Sequence, residues 1–533
     1  MRKPRRFGLF LLSLTVCLAT MLPMMMSASA AGTSAATVTT DAQTAAKLGL
    51  LLGDGSGVSD AYLARTSTRL QAAIISLRLQ GKLAEAEAFK GDDGSFKDVS
   101  LVGKTNQNIL AYLHHHAELG WNGTGSGKFD PLANITAQQF YKVLLEVLGY
   151  KSGTAYNYSD TLAFAAGKGL KNIAGAADLS NADIATALIE ALNATGSSGA
   201  TLFAKLQQSK VIAESAQLPA GERIGFGNAK DVGTYLTDSK GRTLYFFTKD
   251  AADLEACQDK CLQAWPIYYA DQLQIPASLN AADFGVYTRA DGTKQSTYKG
   301  WPLYYFVKDA KAGDVLGENV SGVWFVAKAD YAAMLGTDAK LGNYLTDANG
   351  RALYYFDKDT KGRSVCEGQC LVNWPAYLAD GASAPTGAAS ADFGTITRTD
   401  GSKQSTYKGY PLYYFIKDTK HGDLNGQDVN QVWFVINPAS FKGTTADAAV
   451  KTYKVDMKEY SFGTAPLTVE AGSKIVFTNF DDMEHNAVAV DGSFTTPLLK
   501  KGESFTITID KPGTYDYFCE AHKKFMTGQI IVK

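Results

Sequence analysis

An ungapped duplication governs the middle of this chain. Cys257 and Cys366 lie 109 positions apart, and so do Trp265 and Trp374. The same offset carries Tyr235-Leu236-Thr237-Asp238 onto Tyr344-Leu345-Thr346-Asp347. It also carries Lys294-Gln295-Ser296-Thr297-Tyr298-Lys299-Gly300 onto Lys403-Gln404-Ser405-Thr406-Tyr407-Lys408-Gly409. A repeat this long is a complete domain copied in tandem, not a solenoid unit. Residues 222–332 and 333–442 must therefore share one fold. Each copy holds two related halves. Asp238-x-x-Gly241-x-x-Leu244-Tyr245-x-Phe247-x-x-Asp250 is echoed by Lys299-Gly300-Trp301-Pro302-Leu303-Tyr304-Tyr305-Phe306-x-x-Asp309. Asp/Gly turns followed by alternating aromatics predict β-hairpins.

The 533 residues are too many for one domain and suggest about three or four. Fifty-two basic residues against fifty-three acidic ones leave no basic excess for nucleic acid. Residues 1–30 read as a signal peptide: Met1-Arg2-Lys3-Pro4-Arg5-Arg6, an apolar run from Phe7 to Met26, then Ser27-Ala28-Ser29-Ala30. Export with cleavage after Ala30 is the expectation, with a retained anchor as the alternative. No later segment could span a membrane. Removing the leader removes Cys17 and leaves Cys257, Cys261, Cys366, Cys370 and Cys519. In an exported chain, Cys257-x-x-x-Cys261 and Cys366-x-x-x-Cys370 are disulfide candidates. Leu262 and Leu371 stand where haem attachment wants histidine. A four-cysteine zinc site across the two copies is the other geometric option. Cys519 is then the odd cysteine and requires its own explanation.

Residues 450–533 supply one. Lys474-Ile475-Val476-Phe477, Ser504–Ile509 and Gln529-Ile530-Ile531-Val532 alternate as strands. Pro512-Gly513 marks a turn before Thr514-Tyr515-Asp516-Tyr517-Phe518-Cys519. Cys519 thus ends a strand, with His522 and Met526 on the loop after it, and His485 arrives from another strand. Two imidazoles, a thiolate and a thioether are the donor set of a blue-copper site. The thiolate holds copper covalently, the imidazoles suit both oxidation states, and the methionine sulfur is a weak axial partner. One cysteine and two histidines could also hold zinc, but a methionine in the fourth place favours copper. Asn486, directly after a candidate ligand, is the candidate for orienting the ligand loop without itself touching the metal.

The residues His485-Asn486 and Tyr515-x-Tyr517-x-Cys519-x-x-His522, with Met526 and Gly528 beyond, resemble the plastocyanin-like cupredoxins. The resemblance implies a Greek-key β-sandwich and a single type 1 copper. Three residues separate His522 from Met526, intermediate between the shorter and longer loops of that family. The Tyr-x-Phe-x-x-Asp signature of the central copies resembles a family of secreted lipoprotein-type repeats, which implies little about function. Tyr304, Tyr305, Tyr413 and Tyr414 are expected to fill β cores; a part in electron passage or partner docking is the sharper alternative.

Residues 40–215 change character. Ile109, Leu110, Leu113 and Ala117 recur at helical intervals, as do Phe140, Val143, Leu144 and Val147. A turn-rich loop, Gly120–Gly127, separates them, and Asn134 or Thr136 is placed to cap the second helix. Helix, glycine loop, Phe129-x-Pro131, Ile135-Thr136 and helix together resemble an S-layer homology module. Phe96-x-Asp98 and Tyr158-x-Asp160 look like starts of further modules, giving three degenerate copies near 40–83, 96–150 and 156–195. The resemblance implies a pseudo-threefold helical unit that grips cell-wall polysaccharide. Of the arginines that serve that grip only Arg69, in Thr68-Arg69, is present; Ala137 and Asn181-Ala182 do not carry it. His114-His115-His116 point in different directions on a helix and are not expected to chelate.

The expected architecture is therefore multidomain: an α-rich region, two β-rich repeats and a C-terminal sandwich. The expected function is a secreted, wall-associated copper protein that carries single electrons to an unidentified redox partner and is not an enzyme. His522 is expected to be the exposed edge through which electrons pass. Copper scavenging and a structural or adhesive surface role are the alternatives.

Overall fold

The computed structural model describes residues 33–533 apart from 92–93, 380, 382, 449 and 464–465; the leader reading and Cys17 lie outside the described residues. Among the described residues no helix is long and apolar enough to cross a membrane.

The N-terminal third is helical. Arg69–Leu79, Ala137–Val147 and Asn181–Asn193 open alike, each on a capping box: Thr68 with Gln71, Thr136 with Gln139, Ser180 with Asp183. Each hydroxyl satisfies an N–H that the first helical turn leaves unpaired. The segments that lead into these helices meet. Ser67 N donates to Leu179 O at 2.7 Å, Leu179 N to Ile135 O at 3.1 Å, and Ile135 N to Ser67 O at 3.1 Å. This closed ring relates the three openings by an approximate threefold. Ile109, Leu110 and Leu113 face one apolar core with Phe140, Val143 and Leu144. Ala117, expected on the same face, is exposed. The helix Lys104–His115 ends before it, because His116 leaves helical geometry and Gly120 then turns left-handed at φ 93°.

Each central copy pairs Tyr245–Phe247 with Trp324–Val326, or Tyr354–Phe356 with Trp433–Val435. Each also carries an antiparallel sheet, built on Phe284–Thr288 and Lys294–Tyr298 in one and on Phe393–Thr397 and Lys403–Tyr407 in the other. The signature residues of the two halves cross-pair. Tyr245 Oη donates to Asp309 at 2.7 Å and Tyr304 Oη to Asp250 at 2.9 Å. The second copy repeats this with Tyr354 to Asp418 at 2.7 Å and Tyr413 to Asp359 at 2.6 Å. Between them lies a column of four rings. Phe247, Trp324, Trp265 and Phe306 stack at centroid distances of 4.1, 3.8 and 4.1 Å. Phe356, Trp433, Trp374 and Phe415 repeat the column at 4.2, 3.8 and 4.2 Å. Gly317 passes so close that a Cβ there would stand 2.7 Å from the Tyr245 ring and 2.8 Å from Trp265.

Two strands precede the expected helical domain, the second ending on its first residue, Thr40. Thr33–Ala35 adds antiparallel to Phe284–Thr288, and Thr37–Thr40 runs parallel to Gln272–Ile275. The segment preceding the helices thus completes sheets of the first repeat, and the helical region is looped out between them. Arg223 binds both Asp41 carboxylate oxygens, at 2.8 and 2.7 Å, and ties the first helix to that repeat. The repeats meet through His421, whose ring packs on Trp301 at 4.4 Å while its Nδ1 lies 3.1 Å from the Ala251 carbonyl.

The C-terminal unit is a sandwich of two sheets. Lys474–Asn479 pairs parallel with Thr452–Met457 and antiparallel with Ser504–Thr508. Thr527–Val532 pairs parallel with Leu467–Val469 and antiparallel with Gly513–Phe518, which in turn pairs with Val488–Ala489. Alternating residues such as Ile475, Phe477, Tyr515, Tyr517 and Ile530 fill the space between. The interlocked order brings the end of Gly513–Phe518 beside the loop that follows Lys474–Asn479.

Candidate metal centre

Cys519 follows the last residue of Gly513–Phe518 and is fully buried. The chain then folds back on itself. His522 N donates to Cys519 O at 3.1 Å, Met526 N to His522 O at 3.0 Å, and Cys519 N to Met526 O at 3.0 Å. Cys519, His522 and Met526 are held on one closed loop by its own backbone bonds. Met526 is buried in the same core cluster as Cys519.

His485 comes from the other loop, anchored by a two-way backbone pairing with Leu499 at 2.8 and 3.2 Å. Its Nδ1 lies 3.6 Å from Cys519 Sγ, and His522 Nδ1 lies 3.5 Å from the same sulfur. The three donor atoms fall within 4.8 Å of one another, the one such His/Cys/Asp/Glu group among the described residues. Asn486 joins the two loops: its Oδ1 accepts from Glu520 N at 2.8 Å, and its Nδ2 donates to Glu520 at 3.3 Å.

Sequence reasoning missed Asp481 and Tyr460. His485 Nε2 donates to Asp481 Oδ2 at 2.9 Å. A carboxylate only accepts, so the Nε2 proton is fixed and Nδ1 presents its lone pair to the thiol. Burial works against the Asp481 charge, yet the Tyr460 and Glu459 amides and the His485 ring N–H hold its carboxyl below the ordinary range. Tyr460 stands edge-on to both imidazoles, with centroids 5.5 Å from His485 and 5.0 Å from His522. His522, expected as a bare exposed edge, is half-buried for this reason. A carboxylate four positions before the candidate histidine His485 was the available signal; nothing in the sequence marked Tyr460.

These observations test the copper fit. A buried thiol faced by two imidazole Nδ1 atoms, one with its tautomer fixed by a carboxylate, is a soft–borderline donor set in which the sulfur is shielded from water. The residues fit the metal.

The other candidates lie elsewhere. Cys257 is bonded to Cys261 and Cys366 to Cys370, so neither pair is available to zinc. Arg69 is 5% exposed. Its Nε donates to Phe129 O at 2.8 Å, and its guanidinium lies over the Trp121 and Phe129 rings, committed inward rather than to the surface. His114 packs on Phe96, His115 on Phe89, and His116 pairs with Glu118, so the triplet diverges. Tyr304 and Tyr413 are fully buried; Tyr305 and Tyr414 donate to Asp238 and Asp347 at 3.0 and 2.9 Å.

Comparison with known proteins finds matches in the central copies and in the C-terminal sandwich. A family described as a secreted repeat of unknown function matches residues 229–268, 285–328, 337–377 and 394–437, one match per half of each central copy. The family of copper binding proteins of the plastocyanin/azurin type matches residues 448–533. Amicyanin-alpha of Methylorubrum extorquens is 28% identical over 92 residues, which are 16% of this chain and 76% of that protein. Amicyanin of Paracoccus denitrificans is 30% identical over 101 residues, 18% of this chain and 76% of that protein. Chloroplastic plastocyanin of Tetradesmus obliquus is 33% identical over 101 residues, 17% of this chain and 70% of that protein. Through its C-terminal sandwich the chain belongs to the plastocyanin/azurin family of copper binding proteins, whose cofactor is a single type 1 copper.

Proposed function

We propose that this chain is a secreted, wall-associated carrier of single electrons, with Cys519, His485, His522 and Met526 as the copper ligands. The observation that carries the reading is the convergence of one buried thiol and two imidazoles within 4.8 Å at one end of a β-sandwich. Copper, when bound, supplies exchange of one electron between Cu(II) and Cu(I).

The protein's own residues do the rest. Cys519 presents its sulfur from the core, where water and oxidants do not reach it. Asp481 fixes the His485 tautomer, and Asn486 holds the two ligand loops at constant separation. Loops held on both sides resist the geometric change that a new charge would otherwise drive. His522 lies toward Tyr460 and Phe525, 43% and 66% exposed, and this face is where a partner protein would take the electron. With Met526 buried in the same core as Cys519, four side chains would hold the copper, a donor set suited to carrying electrons rather than transforming a substrate.

Secretion rests on the leader-like residues 1–30, the two local disulfides and the description of the repeat family as secreted. Wall attachment rests on the threefold ring of helix openings, the arrangement that S-layer homology modules would require. Arg69 faces inward, so a polymer would be held by other side chains of these modules.

Titration of the purified chain with Cu(II) tests the copper reading. One equivalent should produce an intense thiolate-to-copper colour that a reductant bleaches reversibly. Sedimentation with native walls, with a chain lacking residues 40–215 as control, tests attachment.

A further inference from the structure

The turn Lys458–Ser461 is closed by two backbone bonds, Lys458 N to Ser461 O at 3.0 Å and Ser461 N to Lys458 O at 3.1 Å. Its central residues, Glu459 and Tyr460, both have left-handed backbones, with φ of 53° and 58°. Neither is glycine, asparagine or aspartate, so the turn is disfavoured on its own. Asp481 offsets that cost. Its carboxylate accepts from Glu459 N at 2.8 Å and from Tyr460 N at 2.9 Å. Successive N–H groups converging on one anion form a backbone nest. The oxygen that takes Tyr460 N also takes the ring proton of His485.

One carboxylate thus holds two things together: the imidazole of a copper ligand and the turn that carries Tyr460 across both imidazoles. We propose that Asp481 is a positioning residue that locks His485 for copper and sets the oxidised state's stability through the Nε2–H···carboxylate bond. The inference rests on the copper reading above. A carboxylate on the remote nitrogen makes the imidazole a stronger donor, and the more highly charged Cu(II) benefits more than Cu(I). The neighbouring Asp482 is the built-in control. Its side chain is 89% exposed, it pairs with Lys501 at 2.7 Å, and it carries the same charge one position away.

The test uses the full chain as wild type, Asp481→Asn, Asp481→Glu and Asp482→Asn. Asparagine can still accept from the nest or the ring, but without the charge. Asp481→Asn should weaken Cu(II) binding by about 10–100-fold while Cu(I) binding changes less. Each tenfold difference between the two states raises the one-electron potential by ~59 mV. Asp482→Asn should leave the Cu(II)/Cu(I) affinity ratio within about twofold of wild type. Asp481→Glu, which keeps the charge, should recover part of the loss. NMR of the copper-free chain supplies an independent readout. The His485 Nε2 proton should be protected from exchange in wild type and Asp482→Asn, and less protected in Asp481→Asn, whose neutral oxygen is the weaker acceptor. Equal shifts in Asp481→Asn and Asp482→Asn would reduce the effect to through-space charge and overturn the proposal. So would an unprotected ring proton in wild type. A wild type that takes up copper without colour overturns the copper reading itself; a coloured wild type with an unchanged Asp481→Asn overturns only the role of Asp481.

Discussion

His485 Nδ1 stands 3.6 Å from Cys519 Sγ although 34 positions separate the residues in the chain. The strand order of the sandwich makes that meeting, and the Asn486–Glu520 bonds preserve it. Asn486→Ala removes the acceptor of Glu520 N without touching a ligand. It should lower copper affinity by about 10–100-fold, the usual cost of losing an outer-shell partner, while the colour of the saturated site survives. Competition with a chelator of known affinity measures the first, and the visible spectrum the second. Unchanged affinity would mean that the loops hold their spacing without the amide.

Tyr304 donates to the buried Asp250, and Tyr413 donates to the buried Asp359 in the second copy. Tyr304→Phe and Tyr413→Phe each strip a buried carboxyl of its hydroxyl donor. Each should cost about 1–3 kcal/mol of stability. Because the two pairings are equivalent, the losses should be similar and additive across the repeats. Urea unfolding of the single and double variants checks this, and copper colour should be unaffected in all three.

His421 gives the interface between the repeats a pH dependence. Burial pushes its imidazole down to about 4, and the Ala251 carbonyl offsets this only partly. In the unfolded chain the ring protonates near ~6.5. Between those values the unfolded state binds a proton that the folded state refuses, so stability falls as pH drops from about 6.5 to 4. Above that window both states are neutral and the contribution is constant. His421→Phe should flatten this part of the profile, by about 2–4 °C of Tm for each kcal/mol at stake. Calorimetry across the window measures it; parallel curves for the two proteins would assign the acid loss to other groups. The first copy carries Ala312 at the equivalent position, so the device belongs to the second copy alone.

The sequence was most legible where a motif is local. Cys519, His522 and Met526 sit on one loop, as their spacing implied, and a strand pattern on each side told where it hung. The Tyr-x-Phe-x-x-Asp halves were visible as a pattern, but the pairing of Tyr245 with Asp309 was not. It is a contact across 64 positions, which periodicity does not encode. Asp481 was hidden for the opposite reason: an acidic residue in a loop is ordinary until its partners are known. The strands Thr33–Ala35 and Thr37–Thr40 escaped because they are short and pair with residues beyond the helical region. Arg69 read as a surface grip because sequence cannot tell an outward guanidinium from one laid over Trp121 and Phe129.

The most direct test of the electron-carrier account is the visible spectrum of the full chain with one equivalent of Cu(II), beside Cys519→Ser. The account predicts an intense thiolate-to-copper band in the parent, lost on reduction and restored on reoxidation, and no such band in the variant. A colourless parent, or a variant as coloured as the parent, would contradict it.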